Sequence, residues 1–196
     1  MSSTKTLLKF EKLLKEFNGI DRDLASLHKP GGLDNDVEHS YRVAMLCWML
    51  IDEYRLKLDA NKVIRYALIH DLPEAYAGDI SMHASPELLK NKKANETKAA
   101  KKLTKDFPRQ KSMWKDLHEY EKKKDAESRF VYVVEKLEAF LVATMSDEDK
   151  WIKRGVTQES IRRLQGKIQN IDTVAQMFNN DLMDYLKKNK KKFWGK

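Results

Sequence analysis

Apolar residues recur every three or four positions along most of the chain, and little interrupts them. Leu7, Leu8, Phe10, Leu13, Leu14 and Phe17 form one stripe. His39, Val43, Leu46, Leu50 and Tyr54 form a second, and Val63, Ala67 and His70 a third. Trp114, Leu117 and Tyr120 continue the pattern, followed by Phe130, Val133, Val134, Leu137, Phe140 and Leu141. Ile161, Leu164, Ile168, Ile171, Val174, Phe178, Leu182 and Tyr185 close it. Such spacing gathers apolar side chains on one face of a helix, which must then be buried against other helices. With four prolines and seven glycines among 196 residues, and no sustained strand-like alternation, the chain is predicted to be all-α. No internal repeat and no clear boundary divides it. We read one helical bundle over residues 1–185 followed by a basic tail, 186–196, a length sufficient for one sizeable core.

Local signals place the helix ends. Asn18-Gly19 tolerates the left-handed backbone that ends a helix. Residues 20–36, around Lys29-Pro30-Gly31-Gly32, read as a polar loop. Asp36 and Asp59 are expected to cap the next two helices. Pro73 disfavours helical geometry at Leu72, so the chain should bend just after His70-Asp71. A mostly polar surface helix is expected over 86–106, with further helices over about 110–123, 125–146 and 157–188. Trp48, Trp114 and Trp151 read as core residues, and His83 and His118 as surface or supporting groups.

Charge and cysteine usage narrow the classes of function. The formal net charge of +8 is concentrated towards the tail, Leu186-Lys187-Lys188-Asn189-Lys190-Lys191-Lys192-Phe193-Trp194. That stretch reads as a solvated helix end able to touch nucleic acid weakly, and the positive balance favours anionic substrates. The single cysteine, Cys47, excludes an intramolecular disulfide framework and a thiolate-rich zinc site, and it fits a reducing, cytoplasmic setting. No apolar run is long enough to span a bilayer, and the N-terminus lacks the apolar stretch of a signal peptide.

Two of the apolar stripes carry a histidine where an aliphatic residue is expected. His70 is followed at once by Asp71, with Glu74 and Asp79 just beyond. Burying such groups unpaired costs several kcal/mol, so they must be paired or hold a metal. Imidazole and carboxylate together suit a divalent ion of the first transition row, with manganese, iron, cobalt, nickel and zinc all admissible. Neighbours on a helix point about 100° apart, so His70 and Asp71 share one ion only near a helix end, where the Pro73 bend puts them. His39 would come from the facing helix. A fourth ligand should be an acid inside a later apolar stripe. Glu135, flanked by Val131, Ala139 and Val142, fits, and Glu138 is the reserve. An ion so held acidifies water and polarises a phosphoryl oxygen. Glu74 and Asp79 remain as free carboxylates to orient that water or move its protons, and Glu74, one turn after the ligand pair, is the expected proton handler. Gly78 permits the tight backbone approach before Asp79.

The ordered set of segments resembles the HD-domain phosphohydrolases, and within them the small 5'-deoxynucleotidase type. The segments are Val37-Glu38-His39-Ser40-Tyr41-Arg42-Val43-Ala44, His70-Asp71-Leu72-Pro73-Glu74-Ala75 with Gly78-Asp79-Ile80, Glu119-Tyr120-Glu121, Glu127-Ser128-Arg129-Phe130-Val131 and Glu135-Lys136-Leu137-Glu138. The resemblance covers about residues 5–145, with the segments in the family's order. The resemblance implies one divalent metal ion, hydrolysis of deoxynucleoside 5'-monophosphates with release of phosphate, and a homodimer. Release of triphosphate from deoxynucleoside triphosphates is the related alternative, and a degenerate domain binding nucleotide or nucleic acid without turnover is the non-enzymatic one. Two departures stand out. The family's late ligand is Asp, and Glu135 carries one more methylene, about 1.5 Å of reach. The family's Arg-Trp pair upstream of the first histidine is here Arg22-Asp23, which leaves Arg22, then Lys29, as the expected phosphate contacts.

Overall fold

The computed structural model describes residues 3–29, 31–80, 86–145, 157, 159, 161–162, 166 and 173–189. Helix α1 spans Ser3–Asn18, and a hairpin of β1, Asp21–Ala25, and β2, Leu33–Asn35, follows. Then come α2, Asp36–Tyr54, α3, Ala60–Ile69, the one-turn α4, Glu74–Ala77, α5, Pro86–Asp106, α6, Lys111–Lys122, α7, Ala126–Met145, and α8, Thr173–Lys188. The all-helical reading holds, with one correction. The segment read as a loop folds back on itself as an antiparallel pair in which Asp21 faces Asn35 and Ala25 faces Leu33. Gly31, at φ +78°, makes the reversal, a conformation that a side chain would strain.

The hairpin sets the start of α2. Asn35 rather than Asp36 caps it, its side-chain oxygen accepting the Glu38 amide hydrogen bond at 2.9 Å. Asp36 lies one residue inside, fully buried, for a different purpose described below. Asp59 caps α3 as expected, accepting from the Lys62 amide at 3.1 Å. Helix α3 stops at Ile69 because Pro73 bars its continuation, and the chain passes through a turn into α4.

Two neighbouring cores hold these elements. Val43, Cys47, Val63, Tyr66, Phe130 and Val134 join α2, α3 and α7. Leu13, Phe17, Leu103, Phe107, Trp114 and Leu117 join α1, α5 and α6. A third cluster packs Leu182 and Leu186 of α8 on Leu137 and Phe140 of α7. Leu186 is therefore core, and α8 runs through Lys188, past the point where the tail was expected to begin. Residues 190–196, Trp151, His83 and most of the stretch before Thr173 that was expected to be helical lie outside the described residues.

The stripes are narrower than the sequence predicts. Leu7 and Leu8 are mostly exposed, and α1 buries Leu13 and Phe17. Trp48, expected in the core, is 48 % exposed beside Tyr41, Met45 and Met49 on the outer face of α2. These four belong to the helix face opposite Val43, Cys47 and Leu50, which already fill the inner one.

Candidate metal centre

Three elements deliver the central groups. Helix α2 presents His39, the end of α3 presents His70 and Asp71, and α7 presents Glu135. The two imidazoles lie with ring centroids 5.3 Å apart. One donor atom each from His39, His70 and Glu135 lies within 4.8 Å of the others, and all three residues are buried. His70 Nε2 stands 3.0 Å from Glu135 Oε2 and 3.1 Å from Asp71 Oδ2, and His39 Nε2 is 3.8 Å from the same Asp71 oxygen.

The far nitrogens explain why both Nε2 atoms face inward. His39 Nδ1 bonds Glu138 Oε2 at 2.5 Å, and His70 Nδ1 bonds the Ala67 carbonyl at 2.8 Å. Each imidazole thus donates from Nδ1 outward and turns its Nε2 to the centre, the orientation metal-binding histidines adopt. His70 Nε2 is buried and makes no hydrogen bond among the described residues. Two carboxylate oxygens so close to one ring nitrogen call for a positive charge among them, either a proton on that nitrogen or a bound cation. The convergence of imidazole and carboxylate donors fits a divalent transition-metal ion.

Electrostatics agree. Burial, helped by Arg22, depresses the His39 pKa, which keeps the ring neutral and able to ligate. Burial opposes a charge on His70, yet Asp71 and Glu135 outweigh it and raise its pKa well above normal. The same negative surroundings favour a metal ion in place of that proton. Burial works to raise the carboxyls of Asp71 and Glu135. His70 and Arg22 nevertheless hold Asp71 well below the usual range, and Lys136 and His70 do so for Glu135.

Glu138, the reserve ligand, serves another role. Besides His39 it accepts from Arg42 Nε at 2.5 Å, and Arg42 Nη2 reaches Asp34 of β2 at 2.6 Å. Glu138 is thus engaged by Arg42 and orients the His39 ring. Converting Glu138→Gln should lower divalent-metal affinity about 10–100-fold. A manganese titration followed by calorimetry checks this, with unchanged far-ultraviolet dichroism as the control for folding.

The remaining expected residues divide. Glu74 is buried, its Oε1 3.3 Å from Lys92 Nζ and its Oε2 without a hydrogen bond among the described residues. Burial and the neighbouring Asp71 push its pKa up to about 10, against the pull of Lys92. Asp79 lies 3.4 Å from the same ammonium. Arg22 reaches the centre but is engaged there. Its Nη1 bonds Asp36 at 3.1 Å and Asp71 at 3.2 Å, which accounts for the burial of Asp36. Lys29 is not brought in. It is 57 % exposed, 3.5 Å from Glu38, and does not line the cavity at the centre.

That cavity, of about 180 Å³, is bounded by His70, Asp71, Glu74 and Glu135, by Lys92, Lys123 and Lys136, and by Glu96 and Glu121. Several of its working groups escaped the sequence reading. Tyr120 donates to Glu135 Oε2 at 2.9 Å, and Lys136 Nζ sits 2.8 Å from Oε1, so both oxygens of this carboxylate are tethered. Tyr120 is visible in the sequence as an apolar-stripe residue, but its hydroxyl has no counterpart in spacing. Lys92 lies in the polar helix α5, where nothing separates it from its many lysine neighbours.

Comparison with known proteins agrees with this geometry. The HD domain family model matches residues 24–176. The 5'-deoxynucleotidase HDDC2 of Xenopus laevis is 30% identical over 179 residues, covering 88% of this chain and 85% of that protein. Its counterpart in Bos taurus is 29% identical over 175 residues, covering 87% and 82%. Among solved structures, one described as a predicted metal-dependent phosphohydrolase from Magnetospirillum magnetotacticum superposes with a TM-score of 0.80 at 24% identity, covering 96% of this chain and 95% of that one. The converging histidines, the His70-Asp71 pair and a family match extending across most of the chain lead to one conclusion: the chain belongs to the HD-domain family.

Proposed function

We propose that this protein is a metal-dependent phosphohydrolase that releases phosphate from deoxynucleoside 5'-monophosphates. The observation that carries the reading is the convergence of the buried His39, His70 and Glu135 donors on one point, with His70 Nε2 also facing Asp71. The names of the curated relatives supply the substrate class. A divalent ion bound by His39, His70, Asp71 and Glu135 would supply Lewis acidity towards water and a phosphoryl oxygen. The protein's own groups do the rest. Lys92, Lys123 and Lys136 in the cavity wall offer positive charge to a phosphate, next to the carboxylates of Glu96 and Glu121. Glu74, buried at the cavity edge, holds or receives a proton, and Asp79 shares its ammonium partner. Arg22, tied to Asp71 and Asp36, fixes the ligand carboxylate rather than lying free for the substrate.

The cavity of about 180 Å³ adjoins a larger one of about 770 Å³ that shares Pro73, Glu96 and Glu121, so the length of the phosphate chain is a question for assay. A panel of ribo- and deoxyribonucleoside mono-, di- and triphosphates, assayed with manganese, cobalt and magnesium, tests the proposal. Free phosphate should appear from deoxynucleoside monophosphates, and chromatography should detect no triphosphate from the triphosphates. Triphosphate release would establish the alternative reaction. Silence across the whole panel with metal bound would establish a binding domain without turnover.

A further inference from the structure

The larger cavity lies between α5 and α6. Its volume of about 770 Å³ falls within the roughly 300–1,000 Å³ of sites that enclose a small organic ligand. The two helices meet at a corner where the Phe107 and Trp114 rings stand 6.4 Å apart. From Pro108 and Trp114 at that corner the lining extends to Pro73, Glu96 and Glu121, the strip shared with the metal-side cavity. Trp114 is fixed by a 2.6 Å hydrogen bond from its Nε1 to the Phe107 carbonyl, and with Ala100 and Leu117 it supplies an apolar floor.

The charges along this path are ordered. Lys92, Lys123 and Lys136 stand at the metal side, and Glu96 and Glu121 stand on the shared strip. Five lysines line the larger cavity, and of these Lys101, Lys111 and Lys115 lie furthest from the strip along their helices. Lys101 is five residues from Glu96 and Lys115 is six from Glu121, about 7.5 and 9 Å along the helix axes. Lys101 and Lys111 have no ion pair among the described residues, and Lys115 has a surface contact of 3.8 Å with Glu119. Positive, negative and again positive is the complement of phosphate, nucleoside and phosphate. The glutamates repel a phosphate from the strip but accept hydrogen bonds from the hydroxyl and amino groups of a nucleoside.

We propose that the cavity between α5 and α6 is a subsite for a second nucleotide, so that the protein also removes the 5'-phosphate from short 5'-phosphorylated oligodeoxynucleotides. With the terminal phosphate at the metal side, the first nucleoside lies along Glu96 and Glu121. The phosphodiester that follows meets Lys101 and Lys115, and the second base covers the apolar floor. The bond broken is still the one from phosphorus to the 5' oxygen. Water supplies the hydroxyl that phosphorus gains and the proton that the leaving oxygen takes, so the products are phosphate and an oligonucleotide with a free 5' hydroxyl.

The inference rests on the hydrolytic reading and deepens its substrate class. Phosphate release by the full chain with manganese is compared for thymidine 5'-monophosphate and 5'-phosphorylated dithymidylate, with chromatography identifying the dephosphorylated dinucleotide. For the wild type, kcat/KM should be about tenfold higher on the dinucleotide. The paired change Lys101→Glu and Lys115→Glu should bring that ratio to about one or below. Both side chains are exposed, and circular dichroism checks the fold, with Lys101→Gln and Lys115→Gln as the milder pair to judge if the reversal disturbs it. Turnover of the monophosphate with no advantage for the dinucleotide, or a ratio indifferent to both pairs of changes, would overturn the subsite and leave the hydrolytic reading standing. Should neither compound be hydrolysed, fluorescence anisotropy of the dinucleotide labelled at its 3' end decides. Binding about tenfold tighter to the wild type than to the variant would uphold the subsite without the reaction, and equal binding would remove both.

Discussion

Replacing His70 with alanine should lower phosphate release by about three orders of magnitude or more while leaving the helical signal intact. The size follows from what the imidazole does. Its Nε2 is the atom nearest both Asp71 and Glu135, at 3.1 and 3.0 Å, and no other group of the centre touches both carboxylates so closely. Without it Asp71 and Glu135 remain as two negative groups with one nitrogen ligand, His39, so metal content should fall along with activity. The fold should survive because His70 sits at the end of α3, beyond Val63, Tyr66 and Ala67, which carry the packing. Metal analysis beside the rate measurement decides the matter. An inactive variant that keeps its metal would show that His70 is no ligand, and a variant that unfolds would show a structural metal.

Glu74→Gln should have the second largest effect, a fall in kcat of about 10²–10⁴-fold with bound metal and KM little changed. The amide preserves the shape of the side chain and its contact with Lys92, but it neither takes nor gives a proton. The contrast with His70→Ala is the diagnostic part. One variant loses the ion and the other keeps it, so paired metal counts separate proton transfer from ligation. If Glu74→Gln lost metal as His70→Ala does, Glu74 would belong to the ligand set.

What could be read from the sequence follows from how locally each feature is encoded. His39 and His70 stand out because a titratable ring inside an apolar stripe breaks a periodic pattern, and Glu135 stands out for the same reason. The bend after Asp71 is legible because proline acts on its immediate predecessor. The hairpin is not legible, since Asp21–Ala25 and Leu33–Asn35 are short, polar and without alternation, and their pairing is decided by contacts with α2 and α7. Asp36 reads as a cap by residue type, but Arg22 claims its carboxylate and Asn35 takes the capping place. Lys92 and Tyr120 were missed because their meaning lies in partners 12 to 18 residues away, at distances that no helical period encodes. Trp48 misled because bulk and hydrophobicity predict burial on average, while α2 has an inner face already filled by Val43, Cys47 and Leu50.

The bridge from Asp34 through Arg42 to Glu138 has a bearing on how such a chain can diverge. Asp34 and Glu138 are both buried, and each leans on the one guanidinium, so loss of Arg42 alone would strand two anions away from water. Positions 34 and 42 therefore cannot be exchanged as an isolated pair, because Glu138 also depends on the guanidinium and would keep only the imidazole it steers. A change in the hairpin is in this way felt by a carboxylate at the far end of the relay.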